Sequence, residues 1–114
     1  MRPARLATSV LVSALIRRAG SEGGFAAVLA KGDANAGSML VILAKNGRKL
    51  RVLERVLQSD ESYRWDDVVS QEIENEEELD RLIGRRRKYD PDLWVVELDI
   101  PSPERFAAEM NALN

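Results

Sequence analysis

Apolar and polar residues follow one another along this chain in blocks whose spacing predicts helices and strands. In residues 10–16 apolar positions recur at helical spacing, Thr8 or Ser9 is placed to cap the segment, and Gly20 is placed to end it. A strand is the alternative, because every second residue is also apolar, but two leucines would then lie on its polar face. The first element is therefore predicted as a helix.

Three apolar runs follow, and each predicts a strand. Residues 25–30 are bounded by glycines and are predicted to have a neighbouring strand on both sides. Residues 39–44 are continuously apolar, which is typical of the middle of a sheet. These two runs and their connection are predicted to form its central hairpin. Asn46-Gly47 is typical of a type I′ turn, so residues 49–57 should pair with residues 39–45 in antiparallel fashion.

Two of the later segments carry charged residues with structural meaning. Residues 63–69 are predicted as a strand, and Asp66 and Asp67 mark it as an edge strand because charges there discourage pairing with other chains. Residues 75–89 are predicted as a helix, with Asn75 as its cap, acidic residues in its first turn and basic residues in its last. Gly84 is expected where this helix passes close to a strand.

A final strand and a short tail complete the pattern. Pro91 excludes a helix at Asp90, and the apolar and β-branched residues after it predict a strand in which Trp94 fills the core. Residues 104–112 are either a last helix or a frayed tail. The predicted fold is α+β, a single domain over residues 1–114 with the order α-β-β-β-β-α-β, a mainly antiparallel sheet and helices packed on one face. Residues 1–7 and 101–114 are expected to be flexible or peripheral.

Composition narrows the chemistry that this domain can perform. The chain has 114 residues and contains neither cysteine nor histidine. Disulfides, thiolate sites, histidine-based triads and histidine-ligated metals are therefore excluded within it. Glu54 falls on the apolar side of the third strand, either as a buried carboxylate able to act as a base or at an irregularity that returns it to water. The sequence does not favour an enzyme, and we predict no catalytic residue, metal ligand or cofactor.

Charge is distributed unevenly along the chain. Residues 1–57 carry 10 basic and 3 acidic side chains, net +7, and residues 58–114 carry 7 basic and 16 acidic ones, net −9. The two halves can fold against each other, pair with those of a second copy, or present a basic face to a polyanion. The basic run at residues 85–88 is interpreted as a solvated helix end, and nucleic acid is not favoured as a partner. Residues 6–16 form a weakly polar run that is too short to span a bilayer. Arg17 and Arg18 follow it at the position where a signal peptide would have small neutral residues for cleavage, which argues against a signal peptide. We expect a cytoplasmic protein without a membrane partner.

Two motifs resemble those of a known family. They are Gly32-Asp33 followed by Ala36-Gly37 before an apolar strand, and the octapeptide DPDLWVVE at residues 90–97. With them, residues 10–97 resemble the small bacterial domain-of-unknown-function family 1491, found mainly in alphaproteobacteria. The resemblance implies a stand-alone cytoplasmic domain. It implies no activity, substrate or catalytic residue.

The polar connection at residues 31–38, KGDANAGS, is the candidate site. Its glycines and Ser38 have the spacing of a phosphate loop, but the lysine before the serine is missing and a strand follows instead of a helix. Small residues can still form a backbone nest for an anion. The alternative is a plain hairpin loop, in which Asp33 makes an Asx turn and glycines supply positive φ. The residues of the candidate ligand site are Lys31, Gly32, Asp33, Gly37, Ser38 and Arg18.

Two functional hypotheses follow. The first is a non-catalytic protein-interaction module that self-associates or binds a protein partner, forming a homodimer through an exposed strand or through its charge lobes. The second is a small-anion or nucleotide-binding domain that uses the 31–38 loop.

Overall fold

Three helices and five strands form one α+β domain in the computed structural model of the chain, which describes residues 7–68, 73 and 75–112. Parts of three predictions, at residues 1–6, 69 and 113–114, lie outside the described residues. The predicted fold class and element order are confirmed, and a third helix follows the last strand. The elements are α1 (Thr8–Ser21), β1 (Phe25–Ala30), β2 (Met39–Lys45), β3 (Arg48–Leu57), β4 (Tyr63–Asp67), α2 (Glu76–Tyr89), β5 (Trp94–Asp99) and α3 (Pro103–Ala112).

The sheet has the strand order β1-β5-β2-β3-β4. All neighbouring pairs are antiparallel except β2 and β5, which are parallel, so the prediction of a mainly antiparallel sheet is confirmed. β2 lies in the centre, as predicted. The prediction of a central hairpin is wrong, because β5 is inserted between β1 and β2 and leaves β1 at the edge of the described sheet, with β5 as its neighbour. Local sequence could not reveal this, since the strand that separates the two comes from the other end of the chain.

The β2–β3 hairpin follows its predicted turn chemistry. Asn46 has φ 52° and Gly47 has φ 81°, the positive values that a type I′ turn requires. Asp99 at the end of β5 reinforces the turn from the neighbouring strand. Its carboxylate accepts hydrogen bonds from the backbone amides of Asn46 at 2.9 Å and Gly47 at 2.7 Å.

Both faces of the sheet are covered by helices. α1 and α3 pack on one face and α2 packs on the other, so the prediction of helices on one face must be corrected for α2. The reason is that β2 is continuously apolar over residues 39–44, so both of its faces must be buried away from solvent. β2 residues 39, 41 and 43 enter the first core, together with Phe106 of α3. Residues 40 and 42 enter the second, together with Leu79 of α2.

Candidate functional site

The loop at residues 31–38 is held by hydrogen bonds to its own aspartate. The carboxylate Oδ2 of Asp33 accepts from the backbone amides of Asn35 at 3.1 Å and Ala36 at 2.8 Å. The amide of Gly37 donates to the carbonyl oxygen of Asp33 at 3.3 Å. This is the Asx turn of the hairpin-loop alternative. Three amides that could have faced an anion are therefore directed to acceptors inside the loop.

The same loop crosses the start of β5 and binds the turn before it. The amide of Asp33 donates to the carbonyl oxygen of Asp92 at 3.0 Å, and the amide of Trp94 donates to that of Ser38 at 2.8 Å. The indole Nε1–H of Trp94 donates to the carbonyl oxygen of Asp33 at 2.7 Å. Trp94 is only 4% exposed, as expected of a core residue. The loop and the DPDLWVVE segment thus form one structural unit.

The loop glycines are required by this close approach. A Cβ at Gly32 would lie 2.0 Å from the carbonyl oxygen of Asp92, and a Cβ at Gly37 would lie 2.4 Å from the same atom. The expectation that these glycines supply positive φ is wrong, since within the described ranges the glycines with positive φ are Gly23 and Gly47. Backbone contact is therefore the reason that two glycines flank the loop.

The loop also caps α1. The amides of Thr8 and Ser9 donate to the carbonyl oxygens of Asn35 at 3.2 Å and Ala34 at 2.9 Å. The Thr8 hydroxyl donates to the carbonyl oxygen of Gly37 at 3.0 Å. The predicted side-chain cap is wrong, because residue 7 is the N-cap and makes no side-chain bond. Loop carbonyls, instead of an anion, meet the positive end of this helix.

Five of the six predicted site residues lie together, and the sixth lies elsewhere. Residues 31–33, 37 and 38 belong to the loop, where the carbonyl oxygen of Lys31 accepts a bond from Arg87 at 3.4 Å. Arg18 lies in the last turn of α1, about 15 Å along the helix from its first turn. It forms an ion pair with Glu109 of α3, and its guanidinium carbon lies 5.5 Å from the centre of the Phe106 ring.

A cleft of about 320 Å³ opens beside the loop, on the face of the sheet that carries α1. The β3–β4 register places Arg55 opposite Trp65 and Leu57 opposite Tyr63, so these four side chains share that face. The guanidinium carbon of Arg55 lies 3.7 Å from the centre of the Tyr63 ring. We call this space the Arg55 cleft. It is lined by Thr8, Asn35, Ala36, Gly37, Ser38, Met39, Arg55, Leu57 and Tyr63.

Sequence reasoning missed Arg55 and Tyr63 as site residues. Each belongs to a strand that was predicted, but only the pairing register of those strands brings the two side chains together. A signal was present in the alternation of Leu53, Arg55 and Leu57, which places a cation between two apolar residues on one face.

The carboxylates considered at the sequence level have structural partners. Glu54 is half-buried and forms an ion pair with Arg86 of α2, which matches neither of the two alternatives proposed for it. Asp66 pairs with Arg64 at 2.6 Å and Asp67 with Arg51 at 2.9 Å, and their strand β4 is an edge strand, as predicted.

In the part of the chain that the structure describes, no cluster of three or more acidic residues could hold a metal ion. No described helix has the length and apolarity to cross a membrane.

Comparison with known proteins identifies the family of the chain. Residues 6–108 match the family model described as a protein of unknown function, DUF1491. A crystal structure of a DUF1491 family protein from Caulobacter crescentus is 36% identical, with a TM-score of 0.78 over 90% of this chain and 94% of that chain. A solution structure of a protein from A. tumefaciens is 34% identical, with a TM-score of 0.72 over 87% of this chain and 89% of that chain. The comparison with curated proteins gives no match.

The two motifs that carry the resemblance are therefore the two halves of one packed unit, the 31–38 loop and the start of β5. The match covers both of them and every strand of the sheet. The chain belongs to the DUF1491 family, a family of unknown function.

Proposed function

We propose that this protein is a non-catalytic homodimerising module whose two copies pair along strand β1. The observation that carries the proposal is the nature of this edge. β1 has the sequence FAAVLA, without a charge or a proline, and among the described strands its single neighbour is β5. An apolar edge strand offers backbone donors and acceptors for a further strand.

The side chains of β1 are unusually open to solvent for an apolar strand. Phe25 is 77% exposed, Leu29 is 52% exposed and Val28 is 43% exposed. Isolated exposed apolar residues are ordinary, but here three of them share one short edge strand. A second copy that covered them would bury apolar surface and satisfy the edge backbone in the same contact.

The opposite edge of the sheet is protected. β4 carries Arg64, Asp66 and Asp67, and charges of this kind discourage strand addition. In addition, the side chain of Asn111 occupies the β4 backbone: its Oδ1 accepts from the amide of Trp65 at 2.8 Å, and its Nδ2 donates to the carbonyl oxygen of Trp65 at 3.3 Å. The contrast between the two edges points to β1 as the surface for association.

Antiparallel pairing of β1 with itself forms a two-fold symmetric interface, the commonest arrangement in homodimers. Pairing centred on Ala27 places this residue opposite its own copy and Phe25 opposite the partner's Leu29. Aromatic and branched residues in such cross-strand positions stabilise a sheet. The two five-stranded sheets would then continue into each other.

Ion pairs within the chain argue against dimerisation through the charge lobes. Basic residues of the first half meet acidic residues of the second half inside one molecule, which neutralises much of the asymmetry of the sequence. The pairs are Arg18 with Glu109, Lys49 with Glu97 and Glu76, and Arg51 with Asp67 and Glu104. The apolar edge is the better-supported interface.

We also propose a cytoplasmic location, supported by a composition without cysteine. Fractionation of the cells that make the protein would test this location.

Size-exclusion chromatography with light scattering tests the dimer. We expect a mass about twice that of the 12.8 kDa chain, little changed by salt. Ala27→Lys places two like charges on residues whose Cβ atoms face each other about 5 Å apart across the two-fold axis. Their repulsion costs about 1–3 kcal/mol when the charges are also about 5 Å apart and the effective dielectric constant lies between about 80 and 20. The dimer dissociation constant should rise about 5- to 150-fold.

A charge-swap experiment makes the test specific for β1. Ala27→Glu should weaken the dimer in the same way, whereas an equimolar mixture of the Ala27→Lys and Ala27→Glu proteins should form a heterodimer through opposite charges. Ala108→Lys, at an exposed alanine of α3, is the matched control and should remain dimeric. A wild-type protein that stays monomeric at high micromolar concentration, or a dimer indifferent to both Ala27 substitutions, would refute the proposal.

A further inference from the structure

We propose that Asn46 is a site of spontaneous deamidation and that the carboxylate of Asp99 slows this modification by holding the backbone amide of Gly47. Asn46 is the one asparagine of the chain that is followed by glycine. Both residues are exposed and form the turn between β2 and β3. The inference is independent of the dimer, because association uses the outer edge of β1 and the turn belongs to two other strands.

The chemistry is intrinsic to an Asn-Gly pair. The backbone nitrogen of Gly47 loses its proton to hydroxide and attacks Cγ of the Asn46 side chain, whose nitrogen takes up a proton from water and leaves as ammonia. The product is a five-membered succinimide ring, and water opens this ring at either carbonyl group to give aspartate or isoaspartate. One water is taken up and one ammonia is released. Glycine in the second position favours the attack because no Cβ obstructs the approach of the nitrogen.

One carboxylate from the neighbouring strand holds the attacking group. Oδ2 of Asp99 accepts a hydrogen bond from the amide of Gly47 at 2.7 Å, and Oδ1 accepts one from the amide of Asn46 at 2.9 Å. Loss of the Gly47 proton must break the first of these bonds. It would also leave an anionic nitrogen in contact with a carboxylate, and two negative charges in contact repel each other. The step that starts deamidation is therefore disfavoured in the folded protein.

The pairing of β5 fixes the position of this carboxylate. Asp99 lies opposite Ala44 in the parallel β2–β5 pair, and the amide of Ile100 donates to the carbonyl oxygen of Ala44 at 2.9 Å. On its other side Asp99 lies opposite Phe25 of β1. Strands on both sides thus hold the carboxylate against the turn. The protection depends on the completed sheet, because β5 supplies it to a turn made by β2 and β3.

Modification would remove the arrangement that delays it. Isoaspartate inserts an additional carbon atom into the main chain of a turn in which Asn46 has φ 52° and Gly47 has φ 81°. Both products also add a carboxylate beside that of Asp99, and the two negative charges repel each other. Modified molecules should therefore unfold at a lower urea concentration than unmodified ones.

Incubation of the full-length protein at constant pH and temperature tests the proposal, with proteolytic digestion and mass spectrometry of the peptide that contains Asn46. Replacement of the side-chain NH₂ by OH gives the mass increase that reports conversion. We expect Asp99→Ala to accelerate conversion about fivefold or more, the factor that corresponds to one hydrogen bond of ordinary strength. Asp99→Asn keeps an acceptor without the charge and should give an intermediate rate. Wild-type protein unfolded in guanidinium chloride supplies the rate of an unprotected site and should convert faster than the folded protein.

Asn111→Ala separates this protection from a general loss of stability. It also removes two hydrogen bonds from a side chain to the backbone, those with Trp65, at the end of β3 opposite to the turn. The rate at Asn46 should stay within about twofold of wild type, because distant sites act independently. Equal acceleration by Asn111→Ala and Asp99→Ala would overturn the proposal.

Three other results would also overturn it. The first is a wild-type rate of conversion in Asp99→Ala or, if that protein fails to fold, in Asp99→Asn. The second is folded wild-type protein that converts as fast as the unfolded chain, since Asp99 would then protect nothing. The third is the absence of conversion at Asn46 in the unfolded chain, which would remove the site itself.

Discussion

Gly32→Ala tests the contact on which the loop and the start of β5 depend. The added methyl group would lie 2.0 Å from the carbonyl oxygen of Asp92 and 2.7 Å from Cδ1 of Trp94. The nearest obstacle is a backbone atom, so a side-chain rotation cannot relieve the overlap. The loop must move away from Asp92, which breaks the bond from the Asp33 amide and draws the Asp33 carbonyl away from the indole of Trp94.

The expected cost follows from these two events. Inserting a methyl group into well-packed structure costs about 1–3 kcal/mol, and each lost hydrogen bond adds about 1 kcal/mol. We therefore expect Gly32→Ala to lower the free energy of unfolding by about 3–5 kcal/mol, a large fraction of the roughly 5–15 kcal/mol available to a small domain. The midpoint of urea unfolding should fall, while its slope should stay unchanged because the fold is the same.

Gly84→Ala is the matched control for this experiment. Nothing lies within 4 Å of a Cβ built at Gly84, an exposed residue of α2, so the expectation that this glycine approaches a strand is wrong. Alanine there should raise the free energy of unfolding by about 0.5–1 kcal/mol through helix propensity. Urea unfolding followed by the fluorescence of Trp65 and Trp94 measures both variants. A Gly32→Ala protein as stable as wild type would refute the close-packing argument.

Two further predictions concern single carboxylates. Asp99→Ala removes the acceptor for the amides of Asn46 and Gly47 and should destabilise the protein by about 1 kcal/mol. Asp99→Asn should have an intermediate effect. Equal midpoints of urea unfolding for the Asp99→Ala protein and the wild type would contradict the prediction. Hydrogen bonds from the hydroxyl and the amide of Ser62 lower the pKa of Asp60 below its ordinary value of 3.8. The ionised carboxylate of Asp60 therefore stabilises the fold above pH 3.8, and this stabilisation is lost as the pH falls through the lower pKa of the folded state. In a carboxyl ¹³C NMR titration, Ser62→Ala should raise the pKa of Asp60 toward 3.8, whereas the control Ser59→Ala should leave it unchanged. An unchanged pKa of Asp60 in the Ser62→Ala protein would contradict the assigned cause.

Local signals in the sequence predicted the elements and several of their details. Asn46-Gly47 predicts its turn because few residue pairs adopt positive φ twice in succession. Asn75 caps α2 by accepting from the amide of Glu77 at 2.9 Å, since its short side chain reaches that amide from the N-cap. The continuous apolar run of β2 predicts a central strand because it leaves neither face of the strand suited to solvent exposure. Each of these features is decided within a few residues of the chain.

The neighbours of β1 and the cleft depend on residues far apart in the sequence. The sequence FAAVLA is compatible with an edge strand and with an interior strand. Its position is decided by β5, which lies about 69 residues later in the chain. The Asx turn of Asp33 was open to prediction because it is local. The pairing of Arg55 with Tyr63 was not, because it requires the β3–β4 register and a helix that begins where the loop holds it.

The insertion of β5 between β1 and β2 also sets the order in which the chain can fold. At synthesis rates of about 5–20 residues per second, roughly 3–14 seconds pass between the appearance of Ala30 and that of Asp99. Throughout this interval β1 has no partner, because its one neighbour has yet to be made. A nascent chain that ends before Trp94 therefore exposes both edges of FAAVLA, and an apolar strand with two unpaired edges favours aggregation. Completion of the sheet, which covers one of the two edges of β1, is a late event in the life of each new molecule.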